Sequence, residues 1–137
     1  MRSQNGGVQP PVHVSEADYD LIAGLALQTE HRSPGIAAML FGELDRAKLY
    51  TPGALPTDAI TIGSSVEYVE ERNGQLHRVQ IVLPVDANIA ECEISILTPM
   101  GAALFGLKEG STIAWPDLHG TVRHLKVVKV TQPAEQL

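Results

Sequence analysis

ISILTPMGAALFGLKEGSTIAW, residues Ile94 to Trp115, is the stretch that decides how this chain folds. A short apolar strand leads into Thr98-Pro99. Threonine is a good N-cap, and proline suits the first helical position, where its missing N–H costs nothing. Met100, Ala103, Leu104 and Leu107 follow at i, i+3, i+4 and i+7, so one helical face is apolar. Gly106 or Gly110 ends the helix with a left-handed residue, and Ser111 to Trp115 reads as a second strand closed by Pro116. This pattern carries no catalytic chemistry. It is a scaffold that presents a Thr-Pro-Met corner.

Composition bounds the rest. A chain of 137 residues with 44% hydrophobic residues supports one core, and with 4% aromatics that core is built from Val, Ile, Leu and Ala. No apolar run reaches the about 20 residues needed to span a bilayer. The opening MRSQNGGVQPP lacks an apolar h-region and reads as a disordered tail over residues 1–13, so a cytoplasmic protein is expected. A single cysteine, Cys92, excludes an internal disulfide and a cysteine-built zinc site. The net charge of −6 argues against strong direct nucleic-acid binding and fits docking on a basic protein surface.

Residues 14–52 read as a short antiparallel helical hairpin. Ser15 and Asp18 resemble a capping box, and Tyr19, Ile22 and Ala26 share one face. The pattern breaks at Thr29-Glu30-His31-Arg32 and restarts at Ser33-Pro34. Ile36, Met39, Leu40, Leu44 and Ala47 then form a stripe, with Arg46 and Lys48 in the last turn before Thr51-Pro52-Gly53. Helices of roughly 13 to 16 residues give an arm about 20–24 Å long. From Ala59 onward the chain is strand-rich. Ile60 to Ile62 and Ser65 to Glu70 come first. An Asn73-Gly74 turn leads back through Leu76 to Leu83. Pro84 to Glu93 is a polar loop, Leu118-His119-Gly120 turns the chain, and Thr121 to Thr131 is the last strand before a frayed tail over 132–137. The fold class expected is α+β: the hairpin arm, then a small half-barrel over 53–131.

These residues resemble a known family. The 94–115 segment follows the pattern I-S-x-x-[ST]-P-x-[AG]-x-A-L-x-G-x-x-x-G-[DS] of the C-terminal domain of the bacterial GreA/GreB transcript-cleavage factors, which has an FKBP-like fold. The short hairpin, the Glu43-Leu44-Asp45-Arg46-Ala47 stretch, the Gly101-Ala102-Ala103-Leu104 run behind Pro99, and Trp115 extend the likeness over about 14–131. The resemblance implies binding to RNA polymerase at the rim of its secondary channel, where the corner before the helix docks on a β′ coiled coil. That corner is Leu97, Thr98, Pro99 and Met100 here. GreB-type proteins carry an acid at the position of Leu97. Cleavage-competent members also have a much longer arm whose tip carries paired carboxylates that help hold a Mg²⁺ ion. This tip offers Glu30 alone, beside His31 and Arg32. The resemblance therefore implies a non-enzymatic regulator that occupies the site, competes with Gre factors and does not stimulate cleavage.

Plainer readings stand beside these. Thr98-Pro99 caps a helix whatever it touches. Glu30 suits a solvated loop, as do Glu67, Glu70 and Glu71 at a strand end, and Arg123, Lys126 and Lys129 suit a solvated face. Cys92 reads as an inert thiol. The histidines, His119 and His124 included, show no metal-ligand spacing, so neither metal nor cofactor is expected. Two alternatives differ in class: a Gre-like cleavage factor and a prolyl isomerase. An isomerase pocket needs aromatics, and the chain has only Phe41, Phe105, Trp115 and three tyrosines.

Overall fold

The computed structural model describes residues 10–116 and 120–133. The tail to residue 9, the turn at Leu118-His119, the packing of the Trp115 side chain and the last four residues lie outside the described residues. In order, the chain forms β1 (Val12–Ser15), α1 (Glu16–Thr29), α2 (Pro34–Asp45), β2 (Ala47–Tyr50), β3 (Ser65–Glu70) and β4 (Gln75–Val82). Then come β5 (Glu93–Ser95), α3 (Pro99–Leu104), β6 (Thr112–Pro116) and β7 (Val122–Thr131). Two 3-10 turns, Pro84–Asp86 and Ile89–Glu91, fill the loop between β4 and β5. The architecture is α+β, with a mixed sheet ordered β5-β4-β3-β7-β6. Only the β4–β5 pair is parallel in that sheet.

The local signals explain the element starts. The Ser15 hydroxyl accepts from the Asp18 amide at 3.1 Å to open α1, and Pro34 occupies the first turn of α2. Gly74 takes a positive φ of 67° and lets β3 return as β4. A bulge opposite Glu67/Tyr68 shifts the β3–β7 register.

Three expectations are corrected at the N-terminal end and in mid-chain. Val12 and His13, assigned to the tail, belong to β1. The second helix stops at Asp45, so Ala47 and Lys48 are strand rather than last turn: β2 runs parallel to β1, with His13 opposite Lys48. A partner strand beside this segment satisfies its backbone groups better than one more fraying helical turn. Ile60 forms no strand of its own. Its amide donates to the Leu107 carbonyl at 2.8 Å, and its carbonyl accepts from the Gly106 amide at 3.0 Å. At the other end, Gln132 is anchored. Its amide group donates to the carbonyls of Thr57 (2.7 Å) and Ala59 (2.6 Å), and its side-chain oxygen accepts from Ser64 at 2.8 Å.

One hydrophobic cluster takes Ile22 and Ala26 from α1 and Leu40 and Leu44 from α2. It continues through Ile60, Val66, Ile81, Phe105 and Leu125, so the helices share the core of the sheet. On α2, next to Leu44, lies Glu43, buried, with Oε1 lacking a hydrogen-bond partner. Desolvation raises its pKa from 4.5 to about 8, against a smaller opposing pull from Arg46. The folded state thus holds this proton more tightly than the unfolded chain does. Stability is full below the unfolded value of 4.5 and falls as pH rises toward about 8. Glu43→Gln keeps the shape and removes the titration. Thermal melts from about pH 5 to about pH 8 are expected to show a falling Tm in the wild type and a flatter profile, several degrees higher at pH 8, in the variant.

Candidate docking corner and polar clusters

Leu97, Thr98, Pro99 and Met100 lie together on one turn between β5 and α3. The turn is held from inside. The Ser95 carbonyl accepts from the Thr98 amide (3.0 Å) and the Thr98 hydroxyl (2.7 Å), and the Ser95 hydroxyl accepts from the Leu97 amide at 3.0 Å. The Thr98 oxygen also accepts from the Gly101 amide at 3.0 Å, completing the N-cap. All four corner residues are half-buried, and Leu97 and Met100 pack against the core. Behind them, Gly101 through Leu107 are all buried, so α3 beyond its first two residues is enclosed all round rather than on one face. Gly101 is required by close approach: a Cβ there would overlap the Ser95 carbonyl oxygen.

Glu30, His31 and Arg32 sit elsewhere, all exposed in the connection between α1 and α2. The amides of Arg32 and Ser33 donate to the Thr29 carbonyl at 3.1 and 2.8 Å, which rounds the chain into α2. This connection supplies one carboxylate, and no group of three or more metal-ligating side chains occurs among the described residues. His124 is exposed on β7, opposite Ala114.

Two polar clusters escaped the sequence reading. Glu70 is not solvated: it is buried and bonded to the Arg123 guanidinium, with His77 Nε2 3.9 Å from the same carboxylate oxygen. Tyr68 and His77, opposite each other on β3 and β4, stack at 5.2 Å. The hydrogen bond from Arg123 is the main reason the Glu70 pKa lies below its usual value. Glu70 could have been found by alternation, since Val66, Tyr68 and Glu70 share the inward side of β3. Glu43 had a signal too, three residues after Leu40 on the apolar stripe of α2. The second cluster joins His13 Nδ1 to the Tyr50 hydroxyl at 2.8 Å across β1 and β2, with Lys48 over the tyrosine ring. Burial, then the Lys108 and Lys48 charges, lower the His13 pKa.

Cys92 is exposed at the end of the second 3-10 turn, in the left-handed region at φ 57°. It is the one non-glycine residue with positive φ among the described residues.

Residues 55–132, which include the corner, match the family described as transcription elongation factor GreA/GreB, C-terminal. The chain belongs to the GreA/GreB family. It is 30% identical over 127 residues to the regulator of nucleoside diphosphate kinase of Escherichia coli K12, covering 93% of each chain. Likeness to the transcription elongation factor GreA of Bradyrhizobium diazoefficiens is 34% over 88 residues, 64% of this chain and 56% of that one. Among solved structures, the GreA/GreB elongation factor from Nitrosomonas europaea superposes with a TM-score of 0.71 at 30% identity, covering 88% of this chain and 98% of that one. No helix among the described residues is long and apolar enough to cross a membrane.

Gly101→Ala is expected to cost about 1–3 kcal/mol, because backbone at the corner must shift to admit the methyl group. Thr98→Ala is expected to cost about 1 kcal/mol through the lost cap. Denaturant titration checks both. Arg123→Ala leaves Glu70 without its main partner. Glu70 contributes stability above its unfolded pKa and loses it as pH falls, so this variant is expected to lose about 1–2 kcal/mol at neutral pH. The loss is expected to shrink in acid, where Glu70 is protonated in both states. Urea melts at neutral and acid pH read out the difference.

Proposed function

We propose that this protein is a non-enzymatic transcription regulator that binds RNA polymerase at the rim of the secondary channel and occupies that site without stimulating transcript cleavage. In this reading it acts in the cytoplasm and competes with Gre factors. The observation that carries the reading is coverage. The chain spans 93% of the E. coli regulator and 98% of the Nitrosomonas factor, but only 54% and 56% of the GreA proteins from Syntrophomonas wolfei and B. diazoefficiens. What it shares with GreA includes the corner-bearing C-terminal part.

The corner suits docking rather than chemistry. Its backbone is fixed by Ser95 and Thr98, and three of its four half-buried residues, Leu97, Pro99 and Met100, are apolar. Residues 53–131 serve as an FKBP-like docking domain, and within 14–52 the α1–α2 hairpin, seated on the same core, is a short arm whose tip faces the channel. α1 and α2 have 14 and 12 residues. At ~1.5 Å per residue the longer helix runs about 21 Å. A tip with one carboxylate, Glu30, followed by exposed His31 and Arg32 is a poor Mg²⁺ ligand set. The effect named in the E. coli relative, on nucleoside diphosphate kinase, then follows from transcription rather than from contact with the kinase.

Two measurements test the reading. Immobilised RNA polymerase core enzyme is expected to retain the wild type and to lose most Pro99→Glu, since an unpaired charge enters an apolar contact. Failure of the wild type to bind ends the proposal. Backtracked elongation complexes are expected to keep full-length transcripts in its presence and to resist added GreA. Transcript shortening by this protein alone would instead make it a cleavage factor.

A further inference from the structure

The loop between β4 and β5 exposes what a soluble surface ordinarily hides. Val85 and Ile89 are 87% and 86% exposed, far more than the other large apolar side chains exposed in the described residues. They stand on successive 3-10 turns of a loop that is hydrogen-bonded throughout. The amides of Asn88 and Glu93 each donate to the other's carbonyl (3.1 and 3.0 Å), and the Asn88 side chain accepts from the Ala90 amide at 3.1 Å. An ordered loop that keeps two branched aliphatics in water gains nothing for its own fold. The charge around them is of one sign: residues 84–93 contain Asp86, Glu91 and Glu93 and no Lys, Arg or His.

The loop also runs straight into the corner. Glu93 opens β5, which lies at the sheet's edge, and Ser95 at its far end holds Thr98. Three residues of strand, about 10 Å, separate the two features. Both can therefore contact one partner surface.

We infer that the 84–93 loop is a second contact for the same partner, inserting Val85 and Ile89 into an apolar notch rimmed by basic residues. A second copy of this chain is the wrong occupant on charge, since two such loops bring six carboxylates together within chains of net charge −6. The inference rests on the polymerase reading above, and its failure is separable from the failure of that reading.

The test measures binding of the full-length protein to RNA polymerase core enzyme at low and moderate salt. The variants are Val85→Ser/Ile89→Ser and Asp86→Asn/Glu91→Gln, with circular dichroism to verify folding. The apolar pair is expected to weaken binding roughly tenfold to a hundredfold at both salts. The acid pair is expected to slow association at low salt and flatten the salt dependence. If wild type binds and either pair leaves binding unchanged, the loop contact is overturned while the polymerase reading stands. If wild type does not bind, both fall. Wild-type self-association in sedimentation equilibrium that the apolar pair abolishes would also overturn the inference, by assigning the loop to a second copy.

Discussion

The backbone of Gly106 is shared between β1 and the segment that leads into β3. Its carbonyl accepts from the His13 amide at 2.8 Å, and its amide donates to the Ile60 carbonyl at 3.0 Å. Its φ is 83°, and a Cβ there would overlap Val12. One residue thus ends α3, docks β1 and fixes the segment that enters the sheet. Any other side chain would meet both a strained backbone and a steric block. The two-stranded β1–β2 sheet, and with it the placement of α1 and α2, follows from that contact.

A similar economy governs the corner. α3 reaches β5 so closely that Gly101 has no room for a side chain, and Thr98 spends its hydroxyl on both neighbours. The corner is stiff because Ser95 and Thr98 bond it internally, and its other three residues, Leu97, Pro99 and Met100, are apolar and carry no reactive group. Two carboxyl groups lie in the interior instead, and they pull in opposite directions. Glu43 loses stability for the fold as pH rises, while Glu70 loses it as pH falls. Between those limits the fold carries one neutral and one ionised internal carboxyl.

Much of this was legible in the sequence because the signals were local. Thr98-Pro99, Asn73-Gly74 and the valine-rich last strand each name their own conformation through capping, turn chemistry or alternation. The failures were non-local. Nothing within Ala47–Tyr50 shows that a parallel partner sits 35 positions earlier, with Val12 opposite Ala47, so helix propensity carried the reading too far. Glu70 and Arg123, each taken in its own stretch of sequence, have the pattern of surface charges. Only the pairing of β3 with β7 brings them together. The corner residues were legible as a helix start, but their fixation by Ser95 needed the fold.

Cys92 gives the protein a chemical handle of its own. It is the single thiol in 137 residues and is exposed. It stands at the root of β5, between the aliphatic loop and the corner. A maleimide fluorophore attached there labels one defined point without any engineered cysteine. Its emission then reports, in real time, whatever comes to cover that edge of the sheet.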